Sequence, residues 1–61
     1  MKFEEALKAM REGKKVKLKK EQPIYYIEDN TIIESWTNIG EVSTLLNPKE
    51  ILSEDWEIVD E

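Results

Sequence analysis

The 61 residues carry nine basic and fourteen acidic side chains. The net charge of −5 marks one small acidic domain, spanning 1–61, and argues against wrapping an extended nucleic acid. With no Cys, no His, no apolar run near the ~20 residues of a membrane span and no signal-like opening, the chain reads as cytosolic, without disulfides, a thiolate or imidazole metal site, or a serine triad.

Phe3, Ala6, Leu7 and Met10 recur at helical spacing and predict an amphipathic helix over Phe3–Glu12. Glu4 and Glu5 in its first turn, with Lys8 and Arg11 later, suit the helix dipole, and Gly13 is a stop that accepts positive φ. Lys14–Lys20 then switches to a two-residue period: Val16 and Leu18 face one way, Lys15, Lys17 and Lys19 the other. Glu21-Gln22-Pro23 breaks this strand. Ile24–Ile27 is a second strand and Thr31–Trp36 its return, joined by Asp29-Asn30, two residues that tolerate left-handed geometry. Thr37–Gly40 reads as a turn and Val42–Leu46 as a fourth strand. Asn47-Pro48 is a helix start, with a capping Asn and a proline at the first helical position. A short helix runs to Ser53, and Trp56–Val59 closes the chain as a last strand, before Asp60-Glu61.

The expected fold is therefore α+β: an N-terminal helix packed on a four- to five-stranded antiparallel sheet, with a short second helix before the last strand. The hairpin strands are apolar on both faces, Tyr25 and Ile27 against Ile24 and Tyr26, then Ile32 and Trp36 against Ile33. One helix covers one face only. A core below ~70–80 residues rarely supplies more than ~3–5 kcal/mol, and with disulfides and metals excluded, a homo-oligomer (dimer or tetramer) is the expected supplement. The alternatives are a marginal monomer and a sheet face half-covered by loops.

Catalysis finds little support, because Glu28-Asp29 and Glu54-Asp55 are adjacent carboxylates that a strand turns to opposite faces. No glycine-rich phosphate loop and no spacing for a metal site is present, so catalytic residues, metal and cofactor are all read as none. Charge placement says more. Lys14, Lys15, Lys17, Lys19 and Lys20 give one span +5, while the remainder carries −10. Such a strand suits the phosphates of a small nucleotide, or else blunts a sheet edge against pairing. Tyr25, Tyr26, Trp36 and Trp56 are large rings for so short a chain, and an exposed one beside lysines can stack a nucleobase. Trp56 reads as core.

The opening Phe3-Glu4-Glu5-Ala6-Leu7-Lys8-Ala9-Met10-Arg11-Glu12-Gly13-Lys14-Lys15-Val16 and the closing Ile51-Leu52-Ser53-Glu54-Asp55-Trp56-Glu57-Ile58-Val59 resemble a family of small phage proteins that includes the Thoeris anti-defence sponges. Similar phage sponges act on the cyclic-oligonucleotide signals of CBASS. The resemblance spans about half the chain. In the middle, Lys17-Leu18-Lys19-Lys20-Glu21-Gln22 stands where longer members carry an arginine pair and a tryptophan.

The resemblance implies a non-enzymatic oligomer in the host cytoplasm that binds a cyclic nucleotide, such as 3′,3′-cyclic GMP–AMP or a cyclic ADP-ribose isomer, and withholds it uncleaved. From residue chemistry and strand direction, Lys17 and Lys19 are expected on phosphates, Tyr25 and Trp36 on a base or a subunit interface, and Asn38 and Thr44 as hydrogen-bond donors. The competing expectation is a small acidic adaptor that binds a host protein through an exposed sheet face.

Overall fold

The computed structural model describes residues 1–21, 23–44 and 46–59. The expected places of Gln22 in the break after the first strand, Leu45 in the fourth strand and Asp60-Glu61 at the end lie outside the described residues. The element order is α1 (Phe3–Arg11), β1 (Lys15–Leu18), β2 (Ile24–Glu28), β3 (Thr31–Trp36), β4 (Gly40–Ser43), α2 (Pro48–Leu52) and β5 (Trp56–Val59). The strands form one five-stranded antiparallel sheet in the order β4-β3-β2-β1-β5. The α+β architecture read from the sequence is the one observed.

Local chemistry sets most boundaries. Glu5 accepts from the Lys2 amide at 3.2 Å at the start of α1. At its end Gly13 takes φ +91°. Its amide bonds Met10 O at 3.0 Å and the Lys14 amide bonds Ala9 O at 3.0 Å, so the helix closes on the paired C-terminal bonds that a left-handed glycine permits. Asp29 and Asn30 both have positive φ, 51° and 62°, which makes the β2–β3 connection a tight turn whose twist suits a hairpin.

One boundary moves. The fourth strand runs Gly40–Ser43 rather than Val42–Leu46. Trp36 pairs with Gly40 across a three-residue turn, and Gly40 takes φ +92°, so pairing begins as soon as the chain has reversed. The apolar alternation of Val42, Thr44 and Leu46 starts later than the hydrogen bonds do. The Thr44 amide still bonds Ile32 O at 3.2 Å just past the strand end.

The core lies between α1 and the centre of the sheet. Ala6, Ala9 and Met10 of α1 are buried with Val16, Leu18, Tyr25 and Trp56, and Phe3, Leu7, Ile27, Ile32 and Leu46 pack around them. Trp56 is the hub: its ring centroid is 5.5 Å from Phe3 and 5.3 Å from Tyr25, the latter edge-on. β5 reaches this position by pairing with β1, placing Trp56 beside Leu18 and Ile58 beside Val16.

The registers sort the side chains into two faces. Val16, Leu18, Tyr25, Ile27, Ile32, Glu34, Trp36, Val42, Trp56 and Ile58 share the face on which α1 packs. Lys15, Lys17, Ile24, Tyr26, Ile33, Ser35, Glu41, Ser43, Glu57 and Val59 share the other. Among the described residues neither helix covers that second face.

Candidate functional site

α1 covers only part of its face of the sheet. Further along that face, α2 stands off from β2 and β3, and a cleft of about 500 Å³ opens between them. Clefts of ~300–1,000 Å³ are the usual size for small-molecule sites. Trp36, Tyr25 and Glu34 border it from the sheet, Asn47, Lys49 and Glu50 from α2, and Lys20, Glu21 and Asp55 from loops.

Asn47 and Pro48 start α2 as their types dictate. The Asn47 side-chain oxygen accepts from the Glu50 amide at 3.0 Å, and Glu50 Oε1 accepts from the Asn47 amide at 3.2 Å. This reciprocal cap leaves Glu50 Oε2 facing the sheet, where the Tyr25 hydroxyl donates to it at 2.9 Å. The carbonyl of Glu50 accepts from Trp56 Nε1 at 3.0 Å. One residue thus fixes the cap of α2, the floor of the cleft and the core tryptophan.

Glu34 is the second carboxylate of the cleft. It accepts from Trp36 Nε1 and, at 3.0 Å, from the Thr44 hydroxyl. Those bonds hold the Trp36 indole and the carboxylate in a fixed relation. A carboxylate has about four acceptor positions, so both glutamates keep acceptor capacity for a ligand. Burial pushes the Tyr25 hydroxyl well above its ordinary pKa, and the hydrogen bond and charge of Glu50, with smaller effects from Glu34, push it further. Tyr25 is therefore a neutral donor at any physiological pH.

The residues singled out from the sequence divide into two groups. Tyr25 and Trp36 come together at this cleft, and Thr44 stands behind it, holding Glu34. Lys17, Lys19 and Asn38 do not join them. Lys17 lies on the opposite face of the sheet, 3.9 Å from Glu57. Lys19 is exposed just past the end of β1, its amide bonded to Asp55 O at 3.0 Å. Asn38 is exposed in the β3–β4 turn.

The ring of Tyr25 corrects an expectation: it is 1% exposed and wedged against Trp56, so only Tyr26 of the pair turns away from the helix. A sealed ring cannot stack a base. The exposed aromatic surface at the cleft belongs to Trp36, which is only partly buried.

Sequence reasoning missed Glu34, Glu50 and Lys49, and took Lys20 only as one of five lysines in a cationic span. The signal for Glu34 was present, as a carboxylate between Ile32 and Trp36 on the inward face of an apolar strand. Lys20 lies beyond β1, where strand alternation no longer says which way a side chain points. Among the described residues no group of three or more acidic side chains is placed to hold a metal ion. Among the described residues no helix is long and apolar enough to cross a membrane.

Comparison with protein-family models finds no match, and neither curated proteins nor solved structures match significantly.

Proposed function

We propose that this protein binds a small cyclic nucleotide, a cyclic oligonucleotide or a cyclic ADP-ribose isomer, and sequesters it without cleaving it. In a phage that activity blunts host defences signalled by such molecules, as the resemblance of the chain's two ends to the nucleotide sponges implies. The observation that carries the reading is the cleft at α2, which combines one partly exposed aromatic face, two cations and four carboxylates, of which Glu34 and Glu50 are oriented by hydrogen bonds.

Each part suits one part of a purine nucleotide. The Trp36 indole offers a face for the base, a contact worth ~1–3 kcal/mol. Glu34 and Glu50 offer acceptors for the amide and amino hydrogens on a purine edge, guanine above all. Lys20 and Lys49 stand beside them as cations for phosphate, where charge-assisted bonds are the stronger kind. A cleft with carboxylates on its floor disfavours a polyphosphate run across it, which fits a compact ligand rather than a long chain.

Sequestration rather than turnover is supported by what the polar groups are already doing. The Tyr25 hydroxyl is held as a donor to Glu50, and both glutamates accept structural hydrogen bonds. Ser53, also at the cleft, has no histidine to activate it in this histidine-free chain.

The test is recovery. The protein is loaded with 3′,3′-cyclic GMP–AMP or cyclic ADP-ribose, freed of unbound ligand and heated. Intact nucleotide in the supernatant supports sequestration, whereas linearised product identifies an enzyme. A stoichiometric host protein captured with no extractable nucleotide identifies the adaptor reading.

A further inference from the structure

The face of the sheet opposite the helices has a charge pattern that matches itself. The register Val16 to Tyr25 sets Lys17 beside Ile24 and Lys15 beside Tyr26, and Lys15 Nζ lies 5.5 Å from the Tyr26 ring centroid. Reading across the strands, one row runs Glu57, Lys17, Ile24, Ser35, Glu41, and the next runs Val59, Lys15, Tyr26, Ile33, Ser43. Ile24, Tyr26 and Ile33 occupy three of the four central positions on β2 and β3, and Ser35 the fourth. Lysines stand on β1 to one side, with Glu57 outside them on β5, and Glu41 stands on β4 to the other.

We propose that a second copy of this chain covers this face, related by a two-fold axis that lies between the two sheets, parallel to the strands and over the β2–β3 boundary. That operation exchanges β2 with β3 and β1 with β4, leaving each row at its own level. Lys17 then meets Glu41 of the second copy, and Glu41 meets the second copy's Lys17. In the next row Tyr26 lies over Ile33 and Lys15 over Ser43, with Ile24 over Ser35 in the first. Every contact occurs twice, as a two-fold interface requires.

Packed sheets cross at about 30°, so the rows register best near the axis. The flexible stems of Lys17 and Glu41 span the offset further out. Lys17 already lies 3.9 Å from Glu57 on its own chain, both partly exposed, and a second carboxylate completes its surroundings. Charge complementarity selects the occupant. A copy of this chain brings a glutamate to the level of Lys17 and a lysine to the level of Glu41, and it brings Tyr26 and Ile33 to cover their counterparts. Ile24, Tyr26 and Ile33 at the centre remain partly exposed after the helices have covered the other face.

Charge exchange tests the arrangement, read by sedimentation equilibrium with circular dichroism to establish folding. Wild-type chain is expected to be dimeric. Lys17→Glu places glutamate against glutamate twice, and Glu41→Lys places lysine against lysine twice. Each alone is expected to weaken dimerisation on the order of tenfold or more. An equimolar mixture of the two variants restores opposite charges at both contacts and is expected to form heterodimers, and the Lys17→Glu/Glu41→Lys double variant is expected to dimerise with itself. A monomeric wild type overturns the proposal, as do single variants that dimerise like wild type or folded variants whose mixture stays monomeric. None of these outcomes depends on nucleotide binding at the cleft on the other face.

Discussion

The Tyr25 hydroxyl donates a 2.9 Å hydrogen bond to Glu50 Oε2 across 25 positions of sequence. It ties a central strand to a five-residue helix that has no buried residue of its own. A helix that short has little stability in isolation, so its place above the sheet depends on what Glu50 grips. Tyr25→Phe keeps the ring against Trp56 and deletes the bond. A hydrogen bond to a charged group contributes about 1.5–3 kcal/mol, and a loss near the lower end is expected because Glu50 regains water. Urea denaturation measures the loss, and faster hydrogen exchange at the amides of 50–53 localises it to α2.

The same pair gives the fold an alkaline limit. The ordinary tyrosine pKa is 10.0, and in the folded chain Tyr25 titrates well above it because of burial and Glu50. A group whose pKa is raised by folding contributes stability that is fully present below the unfolded value and is lost as pH rises towards the folded one. Stability is therefore expected to be unaffected by this group up to about pH 9 and to fall above pH 10. The fall is expected to be shallower in Tyr25→Phe, where Tyr26 is the remaining tyrosine. Denaturation midpoints from pH 8 to pH 11.5 measure both.

Asn30 sits at φ +62° beside Asp29 at φ +51°. Glycine reaches this region without the steric penalty a Cβ brings, and Asp-Gly is a strong sequence for such a turn. Asn30→Gly is expected to leave the fold unchanged and to raise stability by a few tenths of a kcal/mol, the relief of strain outweighing the added entropy of the unfolded chain. A loss above about 1 kcal/mol would show that the Asn30 side chain contributes a local bond the turn needs.

Trp36 separates binding from folding. It is only partly buried, near the far end of β3 from the hairpin turn, whereas Trp56 is 1% exposed in the core. Trp36→Phe keeps an aromatic face and loses the bond to Glu34. Trp36→Ala loses both. Nucleotide affinity is expected to fall in Trp36→Ala by the ~1–3 kcal/mol of one stacked base and by less in Trp36→Phe. Isothermal titration reads affinity in both variants, and circular dichroism establishes that both fold.

Much of the fold is written in short-range signals. Gly13 ends α1, Asp29-Asn30 makes the hairpin turn and Asn47-Pro48 opens α2, because each acts on backbone within a few residues of itself. The placement of β5 beside β1 is different in kind. It depends on Trp56 meeting Phe3 and Tyr25, contacts between positions far apart in sequence that no local pattern states.

The site was legible in part for the same reason. Trp36 and Tyr25 stood out as aromatics on strands, but which tyrosine faces inward depends on which side the helix takes. Lys17 looked like a phosphate ligand because alternation put it on a wet face. That face is opposite the cleft, and the cations beside the cleft are Lys20, which the observed β1 stops short of, and Lys49, which lies on α2. Asn47-Pro48 reads as a helix start from the sequence, whereas the role of Glu50 in accepting from Tyr25 appears only once the chain is folded.

Nucleotide binding at the α2 cleft is tested most directly by isothermal titration of the wild-type protein with 3′,3′-cyclic GMP–AMP and with the cyclic ADP-ribose isomers, each repeated with Trp36→Ala. A saturable isotherm for at least one of them, weakened in Trp36→Ala, is the result the cleft predicts. Absence of heat with every member of the panel, or binding that Trp36→Ala leaves untouched, would contradict it.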